Sequence, residues 1–112
     1  MIGKYKVITI IGSTKFKKEI EEAATKLTLD GYIVLPLTVF AKSDKLDLDE
    51  IQLEMLSDMI RKKIDISDIV YVVNPEEYIG YNTRREIEYA WVNNKNVVFS
   101  NNDMNRTESL NL

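Results

Sequence analysis

The sequence predicts a three-layer α/β fold of the flavodoxin-like or Rossmann-like kind, built on a mainly parallel, doubly wound sheet. Three observations carry that expectation. Short β-branched runs recur at Lys6–Ile11, Tyr32–Leu35, Ile69–Val73 and Val97–Phe99, and continuous apolar runs of this length are typical of strands covered on both faces. Between them lie three stretches whose apolar residues return at helical spacing. The resulting alternation of strand and helix calls for right-handed crossovers, which place helices on both faces of the sheet.

Each element has its own local reason. The first strand ends at Gly12, and Gly12-Ser13-Thr14 opens a segment in which Phe16, Ile20, Ala23, Ala24 and Leu27 share a helical face. Gly31 stands where a left-handed helix stop is expected. Pro36 closes the second strand, and the connection Leu37–Leu46 is longer than a turn requires, so Phe40, Lys42 and Ser43 are candidates to line a site. A second helix is expected from Leu48 to about Lys63, with Asp47 or Asp49 as N-cap and Glu50 available for a capping box. Ile51, Met55 and Met59 fall on one side of it, and Leu53, Leu56, Ile60 and Ile64 on another. That arc covers more than half the circumference, more than one sheet face can bury, and it predicts packing on the sheet and on a second subunit.

The third strand follows Asp65 and Asp68 and ends at Asn74-Pro75. After the loop Glu76–Tyr81, Thr83-Arg84-Arg85-Glu86 has capping-box spacing and predicts a helix through about Val92, with Asn93-Asn94-Lys95 as its exit. The expected organisation is one domain over residues 1–100 and a polar tail over 101–112.

Composition limits the chemistry. The 112 residues contain no cysteine and no histidine, which excludes disulfides, Cys/His zinc sites, thiol nucleophiles and Ser-His-Asp triads. No metal or other cofactor is expected, and any catalysis falls to carboxylates, hydroxyls and lysines. Fifteen Lys plus Arg against eighteen Asp plus Glu leave a net charge of −3, which argues against binding a nucleic-acid polymer through its backbone. No stretch approaches the roughly 18 apolar residues of a membrane span, and the β-branched N-terminal run reads as a strand, so no membrane partner and a cytoplasmic location are expected.

Ligands of doubly wound sheets bind beyond the carboxyl ends of the strands. Three segments reach that edge: Gly12–Lys15, Leu37–Ser43 and Asn74–Glu86. Gly12, Ser13, Thr14 and Lys15 follow a strand and open a helix, an arrangement that suits a phosphate or another anion, although Ser13 could equally be a plain N-cap. Neither G-x-G-x-x-G nor G-x-x-x-x-G-K-[ST] is present. Glu86 is either a capping-box residue or a carboxylate placed to attack an electrophilic sugar carbon. The hydroxyls of Tyr5, Ser13 and Tyr78 are candidates for positioning. Tyr78, Tyr81, Tyr89 and Trp91 could stack on a base, with core or interface packing the plainer role for Tyr89 and Trp91. Asp65 and Asp68 read first as turn or cap residues.

Two long segments, KVITIIGSTKFKKEIEEAATKLTLDGYIVL and KIDISDIVYVVNPEEYIGYNTRREIEYAWVNNKNVVF, resemble the nucleoside 2-deoxyribosyltransferase-like family, specifically its short bacterial and phage members. The most specific piece is Tyr78-Ile79-Gly80 followed by Thr83-Arg84-Arg85-Glu86-Ile87-Glu88-Tyr89-Ala90. The resemblance implies a flavodoxin-like domain that cleaves or exchanges the N-glycosidic bond of 2′-deoxynucleosides or their 5′-monophosphates. It implies Glu86 as the nucleophile, a sugar- or phosphate-holding role for Gly12–Thr14, and assembly as a homodimer or larger homo-oligomer. Lys15, Arg84 and Arg85 tilt the expected small-molecule substrate towards a monophosphate, with Phe40, Tyr78 and Gly80 also at the substrate. The family's proton-transfer aspartate falls at Ile60 here and a second aspartate at Gly80, so Asp58 or Asp65 is expected to transfer the proton, or the pocket binds nucleotides without turnover. A structural α/β domain acting through protein partners is the third reading.

Overall fold

A computed structural model describes residues 3–101; the tail expected beyond 101 therefore lies almost wholly outside the described residues. The elements run β1 (Val7–Gly12), α1 (Lys17–Leu29), β2 (Ile33–Leu35), α2 (Glu50–Asp65), β3 (Ile69–Val73), a 3-10 turn (Pro75–Glu77), α3 (Tyr81–Val92) and β4 (Asn96–Phe99). All four strands are parallel in the order β2-β1-β3-β4, so the α/β class and the flavodoxin-like, doubly wound arrangement are as the sequence predicts. The chain leaves β1 in one direction, to β2, and returns across it to β3. The carboxyl ends of β1 and β3 thus flank the point where strand order reverses, the usual ligand crevice of such sheets.

Strand alternation divides the core in two. Ile8 and Ile10 of β1 point to the α1 side, where Ile20, Leu27, Phe40 and Val73 complete a buried cluster. Ile11, Val70, Val72, Val97 and Phe99 point the other way and meet Ile64 of α2 and Ile87 and Ala90 of α3. Thr9, on this second side, is buried, and its hydroxyl donates to the Lys63 carbonyl at 3.1 Å and pairs with the Ser67 hydroxyl. Burial without partners would cost about 1–3 kcal/mol per group. Here the polar pair instead ties the end of α2 to the sheet.

The helix starts differ from their expected forms, for local reasons. Ser13 is not an N-cap: residues 13–16 form a turn closed by the Phe16 N–H on the Ser13 carbonyl at 3.0 Å, and α1 begins at Lys17 with no side-chain cap. The α2 capping box closes between Asp49 and Gln52, not Glu50, because the reciprocating side chain must lie three residues on. Helix α3 starts at Tyr81 with Gly80 as N-cap and no side-chain cap. Thr83 is buried inside the helix, and Glu86 therefore lies beyond the first turn and caps nothing.

Among the sixteen residues of α2, only Ile64 is fully buried. Ile60 packs partly buried on the core, while Ile51 is 78% exposed and Leu53, Met55 and Met59 about half exposed. No helix among the described residues is long and apolar enough to cross a membrane.

Candidate active site around Glu86

The floor of the crevice is set by close backbone approach. Gly12 lies opposite Val73 in the β1–β3 ladder, and a Cβ on Gly12 would sit 2.9 Å from the Val73 carbonyl oxygen. Only glycine fits without moving a strand. The turn that follows is held from the β2–α2 connection: Lys42 N–H donates to Thr14 Oγ1 at 3.2 Å, Ser43 N–H to the Thr14 carbonyl at 3.3 Å, and Lys17 Nζ to Asp44 at 3.0 Å. Ser13 is buried. Phe40 is also buried, in the α1-side core, so it supports this loop from beneath.

The β3–α3 loop folds onto the same turn. Lys15 Nζ lies 3.5 Å from the centroid of the Tyr78 ring, and Tyr78 meets Phe16 edge-on at 5.7 Å. Cation and ring attract through the quadrupole of the ring. The loop reaches that position through Glu76 and Glu77, both in the left-handed region at φ 56° and 64°, a conformation that non-glycine residues adopt at a cost of about 1 kcal/mol or more each. Asn74, fully buried at the end of β3, anchors it: its side-chain carbonyl accepts from the Ser100 hydroxyl at 3.1 Å and from the Asn101 N–H at 3.0 Å.

Glu86 sits on α3 beside the buried stripe Thr83, Ile87, Ala90, within electrostatic reach of Arg61 on α2. It is partly buried and, among the described residues, its carboxyl has no hydrogen-bond or ion-pair partner. Burial raises its pKa to about 7, against a smaller opposing pull from the Arg61 guanidinium. A carboxyl half-ionised near neutrality is suited to attack, or to give and take a proton, without leaving the physiological range. Arg61, which sequence reasoning passed over, also stands 5.9 Å from the Tyr89 ring. Spacing within one helix could not have revealed it, since its relation to Glu86 runs between helices.

The remaining candidates separate. Arg84 lies two positions from Glu86, about 200° around the helix, and lines a shallow groove of about 280 Å³ with Ile79, Ile87, Glu88, Trp91 and Phe99. Gly80 caps α3 in ordinary extended geometry, where a Cβ would meet only the Tyr78 ring at 3.7 Å. Asp65 ends α2 at the amino edge of the sheet and accepts from the Tyr89 hydroxyl at 2.6 Å, while Lys95 Nζ donates to its carbonyl at 2.9 Å. Asp58 is exposed on α2. Tyr5 precedes β1 and stands at the amino edge, away from the crevice. A second groove of about 270 Å³ opens between α1 and β3, lined in part by Glu19, Glu22, Lys26 and Tyr71. Among the described residues no group of three or more His, Cys, Asp or Glu could hold a metal ion.

No protein-family model, curated protein or solved structure matches this chain. What defines the protein is thus its own architecture: a doubly wound α/β domain with a glycine-floored crevice and, on α3, a partly buried glutamate near the Arg61 guanidinium.

Proposed function

We propose that the protein cleaves or exchanges the N-glycosidic bond of a 2′-deoxynucleoside or its 5′-monophosphate, with Glu86 as nucleophile. The observation that carries the reading is the Glu86 carboxyl, which caps no helix, has no hydrogen-bond partner among the described residues and is held near pKa 7. In the first step an ionised Glu86 oxygen attacks the anomeric carbon, the C–N bond breaks, and its electron pair leaves with the base, which takes a proton from solvent. Water then attacks the glycosyl ester, or a second base does, and the carboxylate is restored. Lys15, released from Tyr78, supplies a cation for a 5′-phosphate, and the freed Tyr78 ring a surface for a base. The site needs no cofactor for this chemistry.

A second reading has its own support. Ile60 packs against the core and Asp65 is engaged by Tyr89, so neither offers a proton to a departing base. On this reading the crevice binds nucleotides and does not turn them over.

One assay decides. The protein is incubated with the four deoxynucleoside monophosphates and the matching nucleosides, and free base is followed by chromatography, with Glu86→Ala as control. Base release at least about a hundredfold above the variant is expected from one of them, rising with pH through about 7 as Glu86 ionises. Release no greater than that of the variant, together with a ligand-induced rise in Tm, assigns the crevice to binding alone.

A further inference from the structure

Helices α2 and α3 lie on the same face of the sheet and run the same way, each leading into a parallel strand. Their relative height is fixed at the amino edge, where the Tyr89 hydroxyl donates to Asp65 Oδ1 at 2.6 Å. Arg61 stands four residues before Asp65 and Glu86 three before Tyr89, which is about 6 Å back along one helix and about 4.5 Å along the other. The two side chains therefore leave their helices at nearly the same level. The Arg61 guanidinium carbon lies 5.9 Å from the centre of the Tyr89 ring. Other cations of this region are engaged elsewhere: Lys63 Nζ donates to the Pro36 carbonyl at 3.0 Å, Lys95 Nζ to the Asp65 and Ser67 carbonyls, and Arg85 lies 5.9 Å from the Tyr81 ring. The sheet presents Ile11, Val70 and Val72 to this side, none of them charged. Asp58 and Asp65 of α2 bear on the Tyr89 hydroxyl, and Arg61 is the charge that bears on Glu86.

We propose that Arg61 is a positioning residue for Glu86, and that Asp65 holds its guanidinium in place through Tyr89. This role rests on the reading of Glu86 as nucleophile, because a cation beside a carboxyl that does no chemistry positions nothing. Glu86 meets two opposing demands: burial favours its neutral form, while attack on carbon requires the carboxylate. A guanidinium at the same level favours the charged form and cannot itself give up a proton in the working range. Among the described residues the two make no direct hydrogen bond, so the carboxylate oxygens stay open to a substrate while the charge is still felt. Tyr89 carries the tether. Its bond to Asp65 raises the hydroxyl's pKa and keeps it a donor, and its ring gives the flat guanidinium a face to rest on.

The test reads Glu86 directly, by carboxyl-carbon NMR of the whole chain through a pH titration. Arg61→Met is expected to move the Glu86 midpoint up from about 7 by about 0.5–1, and Arg61→Lys to return most of that change. Tyr89→Phe keeps the ring and drops the bond to Asp65. It is expected to move the midpoint up by less, and to add nothing in the Arg61→Met background. Base release is the second readout. At pH 7 the kcat of Arg61→Met is expected to fall about two- to fivefold below wild type and to recover by about pH 9, with KM unchanged; a damaged fold would not recover. Base release by the wild type with a midpoint that Arg61→Met leaves unmoved overturns the role of Arg61 alone. An equal effect of Tyr89→Phe with and without Arg61 overturns the tether. No base release from the wild type overturns the nucleophile reading, and the positioning role falls with it.

Discussion

The two faces of the sheet are built from the same kinds of residue and held in opposite ways. On one face α1 has no side-chain cap, and what fixes it is tertiary: Ile20 and Leu27 are buried against Ile8, Ile10 and Val73, with Phe40 closing the cluster from the β2–α2 connection. On the other face α2 has a complete capping box, an acidic first turn and Lys62 and Lys63 in its last turn, yet buries Ile64 alone. Helix α1 owes its place to the core, and α2 owes much of its helicity to its own ends. The loosely docked helix is also the one that brings Arg61 towards Glu86 of α3. Both faces are thus closed by buried side chains, and the difference lies in the helices: α1 docks by its own core residues, while α2 leaves Ile51, Met55 and Met59 outward and leans on α3 to close the core.

The largest expected effect separates the faces directly. Ile20→Ala removes a side chain with no exposed surface and is expected to cost about 2–5 kcal/mol, the loss of transfer energy plus the cavity left behind. Leu53→Ala, at a site 51% exposed on the inner side of α2, is expected to cost no more than about 1 kcal/mol. Urea unfolding of both variants measures the gap. Equal losses would mean that α2 is as firmly docked as α1.

Next in size is the cost of Glu86 itself. Its carboxyl titrates at about 7 in the folded protein against the model-compound value of 4.5, so between these values the folded state holds a proton that the unfolded state has released. Stability therefore falls as pH rises through this window, by up to about 3 kcal/mol. Glu86→Gln has no proton to lose. It is expected to match wild type below pH 4.5, where both side chains are neutral, and to exceed it by up to that amount at pH 8. Denaturant curves at pH 4 and pH 8 check the sign as well as the size. A variant less stable than wild type at pH 8 would show that the carboxylate has a stabilising partner and is not a strained functional group.

Much of this was legible in the sequence, and the misses have physical causes. Continuous apolar runs placed all four strands to within a residue, and in β1 and β3 burial on both faces leaves no polar alternation to confuse the reading. Helix starts were less legible. Thr83-x-x-Glu86 has the spacing of a capping box, but Thr83 is small enough to be buried against the sheet, and Gly80 begins the helix three residues earlier. That displacement is what frees Glu86 from a capping role. The relation of Arg61 to Glu86 depends on how α2 lies across from α3, and Glu76 and Glu77 are left-handed in the loop that leaves the buried Asn74. None of these has a local signal, since a glutamate carries no mark of positive φ as glycine or asparagine would.

The smallest effect probes α2's independence. Asp49 Oδ1 accepts from the Gln52 N–H at 2.7 Å, and Gln52 Oε1 accepts from the Asp49 N–H at 3.0 Å. Asp49→Ala removes the first bond and leaves an amide at the helix start to water, at an expected cost of about 1 kcal/mol. The loss should be local, because the first turns of α2 make little contact with the sheet and can fray without opening the core. Amide exchange is then expected to quicken over residues 50–54 and stay unchanged in β1 and β3. Faster exchange spreading into the strands would mean that the start of α2 is part of the cooperative core, and the contrast between the two faces would narrow to the charges they carry.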